Sequence, residues 1–366
     1  MNWLIQKLKF YDIPLLAVSG LLLVVGLSIQ YAISLGEGDL TIFYRQLVFS
    51  IGGVVVFVLL ANYNYQLLAK NNRVIYPILI FALIYLLLFG DPIRGSARWI
   101  DLGFFQLQPA ELAKVIIGLG LARWLYLRRG EINSWKNISI TFAYAAIPAV
   151  LIALEPDLGS SLIVMAVWFG IILLSPIRRT YIIIFLIAGL LFSGLSWQFF
   201  LRDYQKQRVE VFLNPDKDPQ GKGYNVRQAT IAVGSGQWFG RGLGQGVQSG
   251  LKFLPEKHTD FVFAAASEEI GWIGSSAILF LFYLLMRRII AVMQKARDDL
   301  AMYIAGGILF LFASQIIINI GMNIGLLPVT GIPLPMITYG GSSMLVTAIA
   351  LGIVQNISKQ SKVLRF

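Results

Sequence analysis

An all-α polytopic membrane protein is the fold class this sequence predicts, and three observations predict it. The 366 residues are 57% hydrophobic and only 13% charged, so a soluble domain of this length would carry more apolar surface than it could bury. Ten apolar runs of spanning length follow one another, centred on residues 13–34, 46–61, 74–89, 112–126, 138–154, 158–174, 181–197, 260–286, 300–323 and 342–357. Basic residues gather in alternate connections: Lys7, Lys9, Lys70, Arg73, Arg123, Arg128, Arg129, Lys136, Arg178, Arg179, Arg287, Arg288, Lys295, Arg297, Lys359, Lys362 and Arg365 share the side of the termini. The opposite short loops hold only Arg45, Arg94 and Arg98. That asymmetry places both termini in the cytoplasm. It leaves one membrane domain, residues 1–366, with a large extracytoplasmic loop, 198–259, between the seventh and eighth of about ten transmembrane helices.

Several function classes fall away at once. An excess of 30 Lys and Arg over 19 Asp and Glu would suggest nucleic acid in a soluble protein, but here it reads as loop topology, and no nucleic-acid partner is expected. There are no cysteines, so disulfide, thiolate and iron–sulfur chemistry are excluded. The single histidine, His258, rules out two-histidine zinc patterns. Lys7 and Lys9 precede an apolar run of spanning length with no small-residue cleavage site after it, so no cleavable signal is expected.

The elements can be justified in chain order. After the third helix, Arg98-Trp-Ile-Asp-Leu-Gly103 leads into Gln108-Pro-Ala-Glu111-Leu-Ala-Lys114, with Pro109 suited to a first helical position. Glu111 and Lys114 are three apart, share a face and can pair about one turn inside an apolar helix, as a structural ion pair or as a substrate contact. Glu155-Pro-Asp157-Leu-Gly-Ser-Ser161 joins the fifth and sixth helices, and Asp157 there is either a helix cap or an acidic group facing a cavity. The large loop holds Arg202, Lys206, Arg208, Lys217, Lys222, Arg227, Arg241, Lys252 and Lys257, which form either a solvated face or a cationic cleft for an anionic ligand. Within it, residues 224–233 have helical spacing suited to the membrane surface. Gly234-Ser-Gly236-Gln-Trp-Phe-Gly240-Arg-Gly242-Leu-Gly244-Gln-Gly246 fits neither the dinucleotide fingerprint nor the P-loop, and reads as a flexible connector.

Everything converges on Phe253-Leu-Pro-Glu-Lys-His-Thr-Asp260-Phe, where that loop enters the eighth helix. Thr259 or Asp260 can cap the helix. If it runs unbroken from Asp260, Ser267 and Gly271 lie within about 20° of Asp260's face, Glu268 lies about 80° round and roughly 12 Å deeper, and Glu269 points away. A carboxylate at the mouth of a membrane helix with another below it is a functional-site hypothesis. Cap and catalytic group stand as equal readings of Asp260. Last, Leu327-Pro-Val-Thr-Gly-Ile-Pro-Leu-Pro335 and Tyr339-Gly-Gly-Ser-Ser343 form an uncharged, rigid connection suited to packing or sugar contact.

Four of these motifs, in this order and spread over nearly the whole chain, resemble the SEDS family (shape, elongation, division and sporulation). They are Gln108–Lys114, Glu155–Ser161, Phe253–Phe261 and Tyr339–Ser343. Asp203-Tyr-Gln-Lys-Gln-Arg-Val209, Asn214-Pro-Asp-Lys-Asp-Pro219 and Gly331-Ile-Pro-Leu-Pro335 resemble the rod-shape branch more than the division branch. Ala110, where serine is frequent, and Glu155, where glutamine is usual, depart from the pattern; the second adds negative charge beside Asp157. The resemblance implies a peptidoglycan glycosyltransferase that polymerises lipid II at the outer face of the bacterial cytoplasmic membrane, among membrane lipids, with a class B penicillin-binding protein as cross-linking partner. Asp260 is then the expected base. Glu111, Lys114, Asp157, Arg208, Arg227, Lys257, His258 and Glu268 are the candidates for substrate binding. The donor sugar is activated by its lipid diphosphate, so no nucleotide is expected, and Mg²⁺ or Mn²⁺ held by carboxylates could supplement the loop's positive charge. From composition alone a lipid II flippase suits ten helices equally well, but the distinctive polar residues cluster at the outer helix ends with no matching set at the cytoplasmic ends.

Overall fold

The computed structural model describes residues 10–90, 98–103, 105–199, 203–218, 221–250 and 253–363. Lys7, Lys9, Arg94, Arg202, Pro219, Lys252 and Arg365, all invoked above, lie outside the described residues.

Three long helices open the chain: α1 (Ile13–Glu37), α2 (Thr41–Asn62) and α3 (Tyr65–Phe89). Polar side chains begin two of them. Asp12 accepts the Leu15 N–H at the start of α1, and Asn64 accepts the Gln66 N–H at the start of α3. A two-residue antiparallel pair, β1 (Ile100–Asp101) with β2 (Gln106–Leu107), leads into α4 (Pro109–Leu127), whose Pro109 stands at the helix start as its spacing predicts. Then come α5 (Trp135–Leu154), α6 (Leu158–Leu174) and α7 (Arg179–Phe199). The long loop is not structureless. It contains α8 (Asp203–Leu213), one 3₁₀ turn (Pro215–Lys217), α9 (Lys222–Ser235) and the single-turn α10 (Val247–Gly250). Three long helices close the chain: α11 (Val262–Gln294), α12 (Asp299–Asn323) and α13 (Gly341–Val363).

Among the described residues, seven helices are long and apolar enough to cross a membrane: α1, α2, α3, α5, α11, α12 and α13. The other three expected runs are helical as well; α4 carries Glu111 and Lys114, and α6 runs only 17 residues. α12 packs against α4, α6 and α11 at the centre of the bundle. Close approach there depends on small residues, as it does between helices in lipid generally. A Cβ at Gly352 of α13 would stand 2.9 Å from the Phe57 carbonyl of α2.

At the end of the bundle that carries the termini, charges tie helices together. Asp12 accepts from Arg288 Nε at 2.6 Å and Nη2 at 2.7 Å and from Ser358 Oγ at 3.2 Å, joining α1, α11 and α13. The opposite end carries β1, β2 and the connections that lead into α4, α6, α11 and α13.

Two expectations fail at α11, for one reason. The helix starts at Val262 rather than Asp260, and it breaks at Gly271, where φ is 68° and ψ is −170°. Only glycine holds that conformation without strain. The glycine-rich run is not a flexible connector, because its backbone fills the break. The Arg241 and Gly242 N–H groups donate to the Glu268 and Glu269 carbonyls (3.0 and 3.1 Å), while Trp272 and Ile273 donate to the Gln237 and Trp238 carbonyls (2.7 and 3.1 Å). A broken membrane helix must re-satisfy its freed backbone groups inside the protein, and this loop does so. The approach leaves no room for side chains: a Cβ at Gly240 would stand 2.1 Å from the Glu269 carbonyl oxygen. The predicted surface helix at 224–233 is α9, which packs on α11 and α12 with Ala229 and Ala232 buried.

Candidate active site

Asp260 lies just before α11, at the loop-bearing end. The residue in the N-cap position is Phe261, and no side chain of its own caps the helix. Thr259 turns elsewhere, its hydroxyl donating to the Glu256 carbonyl (3.2 Å) and carboxylate (3.0 Å). Capping comes instead from another helix: Asn323, at the last turn of α12, accepts the Ala264 N–H at 2.9 Å. The same Asn323 donates to the Asp260 carbonyl at 3.0 Å, and Asn319, one turn earlier, donates to it at 3.2 Å. Asp260 is therefore held by its backbone. Among the described residues, nothing donates a hydrogen bond to its carboxylate and no cation forms an ion pair with it.

Burial raises the Asp260 carboxyl to about 6, helped by the charges of Glu256 and Asp157 and opposed by Arg208 and Arg98. Gly331, at φ 77°, forms one wall; a Cβ there would stand 3.5 Å from Oδ2. The adjoining Thr330 carbonyl accepts from Arg208 Nη1 at 3.4 Å, which puts that α8 guanidinium beside the carboxylate.

Asp157 takes the cap role, and Gln108 occupies its other oxygen. It caps α6 by accepting the Ser160 N–H at 3.0 Å, while its second oxygen accepts from Gln108 Nε2 at 3.1 Å. The backbone N–H of Gln108 in turn donates to Ser342 Oγ at 2.9 Å, and that hydroxyl donates to the Gln106 carbonyl at 2.6 Å. The starts of α4, α6 and α13 are thus sewn together around the acidic pocket. Arg98 reinforces it by donating Nε–H to the Glu155 carbonyl at 2.8 Å and Nη2–H to the Pro156 carbonyl. Glu155 is buried, and among the described residues neither carboxyl oxygen has a partner. Its pKa is pushed up to about 8, by burial first and by the charge of Asp157 second, against the pull of Arg98. That shift favours its neutral form near pH 7.

The other candidates lie apart from this pocket. Glu111 and Lys114 form the anticipated pair, buried in α4. Lys257 is buried in an ion pair with Glu37 of α1 at 2.8 Å and also donates to the Ser249 carbonyl. The His258 ring lies between Gln30 Oε1 (2.9 Å) and Glu37 Oε2 (3.1 Å). Glu268 accepts the Gln248 and Ser249 N–H groups at 2.8 and 2.9 Å, satisfying α10 from below. Arg227 pairs with Asp216 on the exposed surface, 44% of its side chain accessible. Sequence reasoning missed Gln30, Glu37, Asn319 and Asn323. The two asparagines had a usable signal, since amides one turn apart inside an apolar run are costly unless they have partners.

The family model described as "cell cycle protein", covering FtsW, RodA and SpoVE, matches residues 6–363. The chain belongs to this family. Its members similar to the chain include the peptidoglycan glycosyltransferase MrdB of Escherichia coli K12, 35% identical over 362 residues and 98% of each chain. The stage V sporulation protein E of Bacillus subtilis is 34% identical, over 96% of this chain and 98% of its own. The probable peptidoglycan glycosyltransferase FtsW of Acinetobacter baylyi is also 34% identical, over 97% of this chain and 89% of its own. Among solved structures, a chain from a peptidoglycan synthase complex that coordinates polymerization and crosslinking superposes with a TM-score of 0.81 at 29% identity, covering 96% of this chain and 98% of that one. The rod shape determining protein RodA of Thermus thermophilus has the same fold, with a TM-score of 0.71 at 24% identity over 96% of this chain and 97% of that one.

Proposed function

We propose that this member of the family is a peptidoglycan glycosyltransferase that polymerises lipid II for cell elongation, with Asp260 as the general base. One observation carries the reading. The backbone of Asp260 is fixed by two buried amides while its carboxylate is unclaimed and titrates at about 6. A base with that pKa is ionised at neutral pH and still basic enough to take a proton as a bond forms. The acceptor sugar's 4-hydroxyl attacks the donor's anomeric carbon. Its proton passes to Asp260, the new glycosidic bond forms with inversion, and the lipid diphosphate leaves. Arg208 stands beside the carboxylate, where a departing diphosphate would meet positive charge.

The relatives' names and the resemblance of the rod-shape motifs support the substrate and the elongation role. The basic-residue asymmetry supports ten spans, both termini in the cytoplasm and the Asp260 end facing outward in the bacterial cytoplasmic membrane. The likeness to a chain of a polymerising and crosslinking complex supports a class B penicillin-binding protein as partner. As for Mg²⁺ or Mn²⁺, no three Asp, Glu or His side chains converge into a metal cage among the described residues, so no step is assigned to a metal. The test is glycan-strand formation from lipid II by purified protein with its partner. Asp260→Asn and Asp260→Ala should both lose about 10²–10⁴-fold in rate, with folding and partner binding intact. Wild-type polymerisation by Asp260→Asn would remove Asp260 from the chemistry.

A further inference from the structure

An asparagine inside an apolar helix needs hydrogen-bond partners, and α12 carries two, one turn apart, each fully buried. Both direct amide N–H groups at the carbonyl of Asp260, from 3.2 Å for Asn319 and 3.0 Å for Asn323. Their amide orientations are dictated by the partners. The Ala264 N–H can only donate, so the Asn323 oxygen must face it; the Asp260 and Ile332 carbonyls can only accept, so Asn319 Nδ2 must face them, at 3.2 and 2.7 Å. Asn323 also donates to the Asn319 carbonyl at 2.8 Å, which closes the network.

Ala264 is the third residue of α11, the position whose N–H an N-cap side chain ordinarily takes. Asp260 and Thr259 both precede that helix closely enough to compete for it. With Asn323 already bonded there, the Asp260 carboxylate is not drawn back onto its own helix. Asn319 holds the wall beside that carboxylate, because the Ile332 carbonyl it grips adjoins Gly331, the residue lying against it.

We infer that Asn319 and Asn323 are positioning residues for the catalytic carboxylate: by capping α11 from a neighbouring helix and clamping the Asp260 and Ile332 carbonyls, they leave the Asp260 side chain free to face substrate. This rests on the reading of Asp260 as base.

The test measures lipid II polymerisation by full-length protein with its partner, as kcat, KM and pH profile, beside thermal unfolding in detergent. Asn319→Ala and Asn323→Ala should each lower kcat by about 100-fold, the effect of roughly 1 Å of misplacement, while KM for lipid II stays within about threefold. The midpoint on the acid limb of the kcat/KM profile, which reports the free enzyme, should move away from about 6, with Glu256, Asp157, Arg208 and Arg98 unchanged around it. Asn323→Asp keeps an acceptor for the Ala264 N–H but has no N–H for Asp260; it should fold and remain slow. A wild-type rate in Asn323→Asp would reduce Asn323 to a cap and overturn its positioning role. Asn319→Ala leaves that cap in place and decides the matter if Asn323→Ala does not fold. A wild-type kcat and pH midpoint in Asn319→Ala would overturn the inference. Asp260→Asn, run in parallel, separates the two failures: if it is inactive while both asparagine variants are normal, only the positioning inference falls, and if it is active, the base assignment falls.

Discussion

Lys257 and Asp260 stand three residues apart in one motif, and the fold treats them in opposite ways. Lys257 is buried against Glu37 and the Ser249 carbonyl, with His258 beside it between Gln30 and Glu37. Among the described residues, Asp260 is gripped only by its backbone, and burial lifts its carboxyl to about 6. The first pair fastens the loop to α1, whereas the second presents a charge that the protein declines to neutralise. A fully partnered buried charge is scaffold, and an unpartnered one held in place by its backbone is equipped for chemistry. The contrast applies along the chain: Glu268, both of whose oxygens accept backbone N–H groups, belongs with Lys257, while Asp260 and Glu155 are under-satisfied among the described residues.

Stability and activity should therefore separate most sharply between Lys257 and Asp260. Lys257→Met leaves the half-buried Glu37 with one partner fewer and should cost on the order of 3 kcal/mol, with the folded fraction turning over normally. Asp260→Asn should do the reverse. The Asp260 pKa is raised in the folded state, so the favourable contribution of its neutral form is present below the unfolded value near 4 and is lost as pH rises through about 6. At pH 7.5 the half-buried carboxylate is a net cost, and Asp260→Asn should be more stable by about 1–3 kcal/mol, with the difference shrinking towards pH 4. Thermal unfolding across that range checks the sign. A less stable Asp260→Asn at pH 7.5 would erase the distinction.

Deep in α4, removing either Glu111 or Lys114 strands a charge and should cost about 3–5 kcal/mol, of which the double substitution recovers part. A double-mutant cycle with no coupling would show that the pair is not a unit.

Glu268→Gln keeps one acceptor for the two α10 N–H groups that now share a carboxylate. A loss of about 1–3 kcal/mol in stability is expected, with kcat unchanged. A fall in kcat at full stability would move Glu268 into the reacting site.

Two arginines of the long loop give the smallest effects and the finest test. Arg227→Ala removes an exposed ion pair and should change stability by no more than about 1 kcal/mol, with no change in the lipid II requirement. Arg208→Ala, beside Asp260, should raise that requirement. Titrating lipid II in both variants checks this, and equal tolerance would make the loop's positive charge a solvated face throughout.

Hydrophobic runs and basic loops made the helical membrane fold legible without coordinates, because lipid leaves the backbone so few options. Short-range spacing made the Pro109 helix start, the Asp157 cap and the Glu111–Lys114 pair legible too, since each involves residues three or four apart. What the sequence could not decide is which of two local options a distant segment removes. Asp260 reads equally well as cap or base until the helix starts at Val262, with Phe261 in the N-cap position, and Asn323, 63 residues after Asp260, caps it at the Ala264 N–H. The glycine-rich run reads as slack until Gly271 opens a helix for its backbone to enter. Lys257 and His258 read as loop charge until Gln30 and Glu37 arrive from α1, more than 200 positions away. In each case the contested group is a hydrogen-bonding valence, and only the packed bundle brings the competing partner within 3 Å or so.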